Sequence, residues 1–192
     1  MPALSRSPRT TRSVRGRLRT HSTALAEEDI AVHLTEPTPP PPTALLAGAL
    51  HKGTATVLYS ATLAAAAQVY ADTCPTGHGT PASRDNAGEN LFWAASSGSS
   101  PAVNFTHAVD SWYAEITDYR WPTSASGTVN YGGVTGHFTQ VVWKDTRQVG
   151  CGGSTGCNNK FGAGWINNVI VCRYDPPGNW VGKYHFKVGS LA

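Results

Sequence analysis

Four side chains could do chemistry together: His78 in CPTGHGT, Glu89 in AGENLFW, Glu115 in SWYAE and His137 in GHFTQ. Neutral imidazole ligates zinc and other divalent cations, and a carboxylate beside a metal-bound water is a general base for hydrolysis. Two imidazoles are fewer than the ligands of structural or catalytic zinc, so the expected metal site is weak and exchangeable. The sequence contains neither a G-x-S-x-G elbow nor an H-E-x-x-H helix, which weighs against a hydrolase and establishes no catalytic residue. A lone histidine ahead of an apolar run is commonly a polar residue at a sheet edge. The quartet becomes a site only if the fold gathers it.

The elements that must position these residues differ between the two halves. SATLAAAAQVYADTC offers Ser60 as an N-cap, then Leu63, Ala66, Ala67 and Tyr70 at helical spacing, and predicts a helix ending near Cys74. A second helix is predicted from Ser100-Pro101, with Phe105, Ala108, Val109, Trp112 and Ile116 on one stripe. Glu115 lies three residues beyond Trp112, so its carboxylate is turned toward the interior. FTQVVW, QVGCGGSTGC and WINNVIVCRY then change the period: short, rich in β-branched and aromatic residues, and separated by the turn-forming KDTR and NNKFGAG. They predict an antiparallel meander. Helices followed by strands make an α+β domain whose helices cover the sheet.

Composition bounds what this domain can bind. The 192 residues, 40% hydrophobic, are enough for one domain with a true core. The net charge of +3 is misleading, because residues 1–20 hold six arginines and no acid while residues 43–192 hold nine basic and eight acidic groups. A nearly neutral body lacks the basic face that nucleic acid requires. No run of eighteen apolar residues exists to span a membrane. Residues 1–42 read as a disordered basic tail and the proline-rich spacer PTPPPP, and residues 43–192 as the domain. The tail has no apolar stretch of the kind a secretory signal needs; its arginine-rich start superficially resembles a transit peptide and equally fits an incomplete N-terminus. Asn104, in NFT, forms a glycosylation sequon.

All four cysteines, Cys74, Cys151, Cys157 and Cys172, lie in the domain without a C-x-x-C pair, which favours two disulfides and an oxidising compartment over a zinc site. Hairpin register orders them. If Cys157 and Trp165 stand near the two ends of the loop, Cys172 falls opposite residue 150 or 151, within disulfide range of Cys151. Cys74 then pairs with Cys157.

GHFTQVVWKDTRQVGCG and VIVCRYDPPGNWVG each resemble a signature of the cysteine-rich secretory protein, antigen 5 and pathogenesis-related superfamily, abbreviated CAP, and GENLFW matches a third segment in order. The resemblance covers roughly residues 57–186 and includes a likeness to secreted fungal members. It implies a three-layer α-β-α sandwich with a central antiparallel sheet. It also implies a cleft in which His78 and His137 hold a divalent metal such as zinc beside Glu89 and Glu115, with His137 delivered by a central strand. Some members bind sterols or other small lipids partly through the loop before the G-H motif. Here that loop is residues 121–136, with Trp121, Val129 and Tyr131 as apolar contacts. The implied protein is extracellular, monomeric and a binder of sterols or fatty acids. A metal-dependent hydrolase or protease, and an extracellular protein-interaction module in host contact or defence, are the alternatives. One departure is visible: the family's opening helix carries a histidine-asparagine pair and an arginine, and TALLAGALHKGTAT lacks that pair, so one side of the sandwich is expected to be less covered.

Overall fold

The computed structural model describes residues 50–99, 101–121, 134–157, 162 and 164–192. The expected boundary at residues 42 and 43 lies outside them. Among the described residues, no helix is long and apolar enough to cross a membrane.

Helix α1 (Ala61–Ala71) begins at Ser60, whose Oγ accepts the Leu63 N–H at 3.3 Å. It buries Ala64, Ala67 and Ala71 against β3 (Gln148–Thr155). The strand meets it with Gly150 and Gly152: a Cβ on either would overlap the helix backbone at Ala64 or Gln68. Alanine against glycine lets backbone approach backbone. The buried stripe is therefore not the expected Leu63, Ala66, Ala67 and Tyr70; the smallest side chains turn inward, and Leu63, Ala66 and Tyr70 are half-buried.

The sheet runs β1-β3-β4-β2, where β1 is Leu58–Tyr59, β2 is Gly88–Ser96 and β4 is Ile166–Asp175. Strand β4 is antiparallel to both β2 and β3, whereas the two-residue β1 joins β3 in parallel. Residues of β4 alternate between two cores. Ile170, Cys172 and Tyr174 pack with Val109, Trp112, Phe138 and Trp143 on one face, and Val169 and Val171 pack with Ala67, Ala71 and Leu91 on the other. A strand buried on both faces reads as a nearly unbroken apolar run, as NVIVC does. Helices α2 (Phe105–Ala114) and α3 (Gly136–Val141) supply the layer opposite α1, and the short α4 (Tyr184–Lys187) follows near the C-terminus. The domain is an α-β-α sandwich.

Two expectations are corrected. FTQVVW is not a strand: residues 136–141 form α3, and the third long strand of the sheet is β2. Phe138, Val141 and Val142 are buried at helical spacing, so the β-branched composition misled where the period did not. Helix α2 starts at Asn104 instead of Ser100, which is outside the described residues. The Asn104 Oδ1 accepts the His107 N–H at 2.9 Å, while the carbonyls of Pro101 and Ala102 accept from Asn168.

Cys151 and Cys172 are register partners across β3 and β4, with Cα atoms 4.1 Å apart and a disulfide between them. Cys74 is bonded to Cys157, Cα to Cα 5.3 Å, tying the end of α1 to the hairpin.

Candidate functional site

Glu89 is the second residue of β2 and stands directly across from Arg173 on β4. Its side chain has no solvent exposure. Oε1 accepts the Gly79 N–H at 3.0 Å and meets His78 Nδ1 at 2.9 Å, while Oε2 lies 3.3 Å from Arg173 Nη2. Burial alone would raise this carboxyl's pKa; the hydrogen bonds from His78 and Gly79 and the charge of Arg173 together outweigh it and hold the pKa below the ordinary value. Glu89 is thus a fixed negative charge behind His78. Arg173 is itself held by the Ser83 carbonyl at 3.2 Å and lies over the Tyr70 ring at 5.3 Å.

A second pair repeats the motif. Glu115 follows α2, and its Oε1 meets His137 Nδ1 at 2.6 Å. Its Oε2 accepts the N–H groups of His137 and Phe138 at 3.1 and 3.0 Å. These are donors of the first turn of α3, which its own N-cap Thr135 leaves without a side-chain partner. A carboxylate from another element therefore caps α3, which accounts for a helix where the sequence suggested a strand. His137 is delivered by the start of this helix and not by a central strand.

The two pairs are linked through β2. Asn90, next to Glu89, donates Nδ2 to the His137 carbonyl at 3.1 Å. Trp112 stacks on the His137 ring, centroids 6.1 Å apart at 17°, and its own N–H is fixed by the Leu91 carbonyl at 3.1 Å. A cavity of about 460 Å³ opens at this level; His78 and Glu89 line it, whereas His137 and Glu115 are not among its lining residues.

Both imidazoles give Nδ1 to a carboxylate, so each leaves Nε2 for a metal. Carboxylates behind metal-bound histidines fix the ring and its tautomer in this way, so each imidazole taken singly is suited to ligate a divalent cation. All four cysteines are in disulfides, and among the described residues no group of three or more His, Cys, Asp and Glu is gathered as ligands.

Trp121 is 37% exposed and packs edge-on against Tyr119 at 4.8 Å and Phe138 at 6.3 Å. Val134, near the other end of that loop, is 68% exposed. Val129 and Tyr131 lie outside the described residues. Asn104 is exposed, and its capping bond uses Oδ1, not the Nδ2 to which a glycan would be joined.

Sequence reasoning missed Arg173, Asn90 and His51. An arginine inside the apolar NVIVCRY is a readable signal, since a buried arginine needs a carboxylate. His51 is 3% exposed; its Nδ1 meets the Gly189 carbonyl at 2.7 Å and its Nε2 the Tyr113 hydroxyl at 2.9 Å. It stands in the segment that lacks the histidine-asparagine pair and gave no periodic signal.

Residues 50–174 match the family model described as CAP, Cysteine-rich secretory protein family. Protein PRY2 of Saccharomyces cerevisiae is 37% identical over 144 residues, which cover 75% of this chain and 38% of PRY2. Peptidase inhibitor 16 of Mus musculus is 36% identical over 129 residues, 67% of this chain and 24% of the relative. Among solved structures, BmVAL-1 superposes with a TM-score of 0.60 at 28% identity, covering 77% of either chain. This chain thus spans well under half the length of these curated relatives. With its sandwich fold, its two disulfides and this match, the chain belongs to the CAP family of cysteine-rich secretory proteins.

Proposed function

We propose that this domain is an extracellular binding module, not an enzyme. It takes a small apolar lipid, a sterol or fatty acid, at the loop of residues 121–136, and it holds a divalent cation such as zinc weakly and reversibly through His78 and His137. The observation that carries the lipid reading is Trp121, anchored against Tyr119 and Phe138 yet more than one-third exposed at the start of a loop whose other end exposes Val134. An aromatic fixed in place offers apolar contact without the entropy of ordering it. Two disulfides and family membership support an extracellular destination. Two imidazole nitrogens, with no third His, Cys, Asp or Glu gathered beside them among the described residues, support a weak cation site. The name of the mouse relative, Peptidase inhibitor 16, supports a second reading, an extracellular protein-interaction role.

The test is direct binding of cholesterol and palmitate to the domain. Replacing Trp121, Val129 and Tyr131 together by serine should weaken it at least about tenfold, at roughly 25 cal/mol per Å² of lost apolar burial. Chelation should leave it unchanged. Binding or turnover abolished by Glu89→Gln with Glu115→Gln, and indifferent to the loop, would overturn the reading in favour of metal-dependent hydrolysis.

A further inference from the structure

One end of the domain combines bare apolar side chains with cations that have no partner. The turn from Trp180 to Lys183 closes through the Lys183 N–H, which donates to the Trp180 carbonyl at 3.0 Å, and Gly182 supplies its positive φ of 79°. Turn tips are ordinarily built from glycine, proline and short polar residues. This one carries Trp180 and Val181, 59% and 92% exposed. The indole is held in place all the same, since its Nε1 donates to the Pro177 carbonyl at 3.1 Å. Phe186, in the α4 that follows, is 54% exposed.

The cations come from three segments that the backbone draws together. The Lys144 N–H donates to the Lys187 carbonyl and the Lys52 N–H to the Ser190 carbonyl, each at 2.9 Å. A Cβ on Gly189 would overlap the Lys52 carbonyl and crowd the Lys144 Cε, so the three segments touch. Lys183 and Lys187 stand one turn apart along α4, and Arg147 reaches the Lys144 carbonyl with Nη1 at 2.6 Å. Five of the nine basic groups of residues 43–192 therefore gather here. Residues 176–192 contain no acid, and the one acid of residues 144–147, Asp145, is taken by Lys187 at 2.7 Å. Among the described residues no carboxylate stands within ion-pair reach of Lys52, Lys144, Arg147 or Lys183.

We propose that this end of the domain docks on an anionic phospholipid bilayer, with Trp180, Val181 and Phe186 entering the headgroup boundary and the lysines answering lipid phosphates. Indole rings settle at that boundary, and each basic residue near an anionic surface adds attraction. A second copy of the chain, in a two-fold contact, would set cation against cation. An acidic polysaccharide would satisfy the lysines and leave the apolar tip in water. The bilayer matches both features. This assignment needs neither the cation at the histidines nor a lipid in the loop of residues 121–136.

The experiment sediments the full chain, in EDTA, with vesicles of phosphatidylcholine alone or mixed equally with phosphatidylglycerol. The six arginines of residues 1–20 are first replaced by glutamine, so that the tail adds no attraction of its own. The mixed vesicles should bind at least about tenfold more tightly than the neutral ones, and high salt should remove most of that margin. Lys183→Glu should weaken the mixed vesicles at least about fivefold, and Trp180→Ser with Val181→Ser at least about tenfold. Brominated phosphatidylcholine in the mixed vesicles should quench tryptophan fluorescence in the parent, and Trp180→Phe should lose that quenching. Should the serine pair fail to fold, Lys183→Glu and Trp180→Phe decide the matter. Equal binding to the two vesicle types, no binding to the mixed ones, full binding in the folded serine pair, or quenching that persists in Trp180→Phe overturns the proposal. So does a dimer, seen by sedimentation equilibrium, that the serine pair disperses, since it gives the face to a second copy. Vesicle binding that appears only after Glu27, Glu28, Asp29 and Glu36 are changed to glutamine gives the face to that acidic segment and overturns it likewise.

Discussion

One carboxylate serves His137 twice: Glu115 Oε1 holds its imidazole Nδ1 at 2.6 Å and Oε2 holds its backbone N–H at 3.1 Å. The same side chain therefore orients a candidate metal ligand and caps the helix that carries it. Structure and chemistry are coupled at Glu115 in a way that they are not at His78, which stands in a loop.

Glu115→Ala should cost about 2 kcal/mol of stability in urea unfolding, because it strips α3 of its cap and removes hydrogen bonds to a charged group. Zinc affinity, measured by calorimetry in the folded variant, should fall about 10- to 100-fold, as for other carboxylates behind metal-bound histidines. His78→Ala and His137→Ala should abolish zinc binding with smaller effects on stability. Undiminished zinc affinity in the double histidine variant would place the cation elsewhere.

His51 predicts a dependence of stability on pH. Burial lowers its pKa from 6.5, opposed in part by the bond to the Gly189 carbonyl. That carbonyl must accept, so Nδ1 carries the proton and Nε2 accepts from the Tyr113 hydroxyl. The unfolded chain thus binds a proton at this residue more readily than the folded one. Stability is fully present above pH 6.5 and declines as pH falls from there toward the lower folded value. Urea titrations between pH 8 and pH 5 should show the decline in the parent, and His51→Gln should flatten that part of the curve. An unchanged slope in the variant would remove His51 from the account.

How much of this was legible in the sequence depended on range. Ser60 reads as a cap because the bond it makes spans three residues, and the Cys151 and Cys172 pairing follows from counting along one hairpin. Helix α3 was misread despite the helical spacing of Phe138, Val141 and Val142, because its composition favours a strand and its cap, Glu115, lies 22 residues away from His137. The displaced face of α1 was illegible for the same reason: alanines 64, 67 and 71 turn inward because glycines 150 and 152 await them on a strand far along the chain. Of the candidate site, the four residues could be named from motif resemblance, whereas which glutamate holds which histidine came from the structure. Arg173, whose charge adds to the His78 and Gly79 hydrogen bonds at Glu89, could be suspected from NVIVCRY but was assigned its partner by cross-strand register.

Asn104 tests whether the domain passes through a secretory pathway. The exposed amide caps α2 with Oδ1, so a glycan on Nδ2 need not disturb the helix. Expression in a eukaryotic secretory host should give a species that loses mass on deglycosylation. Thr106→Ala should remove the glycan and spare the cap, whereas Asn104→Ala should remove both and cost about 1 kcal/mol more. A single unmodified species from the secreted parent would refute use of the sequon.

The two disulfides should differ in how they yield to reductant. Cys151 and Cys172 are 2% and 0% exposed and lie within the larger core, whereas Cys74 is exposed at the end of α1 and its partner Cys157 is 5% exposed. Thiol exchange requires the attacking thiolate to reach a sulfur in line, so access sets the order when the protein stays folded. A mild pulse of dithiothreitol followed by alkylation and peptide mapping should label Cys74 and Cys157 first. Cys151 and Cys172 should react only at the rate of global unfolding, which urea accelerates. The outer bridge closes a separation of 83 residues against 21 for the inner one, so its loss should still cost more chain entropy, by about 1 kcal/mol. Cys74→Ala with Cys157→Ala should therefore unfold several kcal/mol more easily while remaining folded in water. Early labelling of Cys151 or Cys172 in the native protein would show that the inner bridge is reached by local opening of the β3 and β4 hairpin, contrary to a bridge sealed in the core.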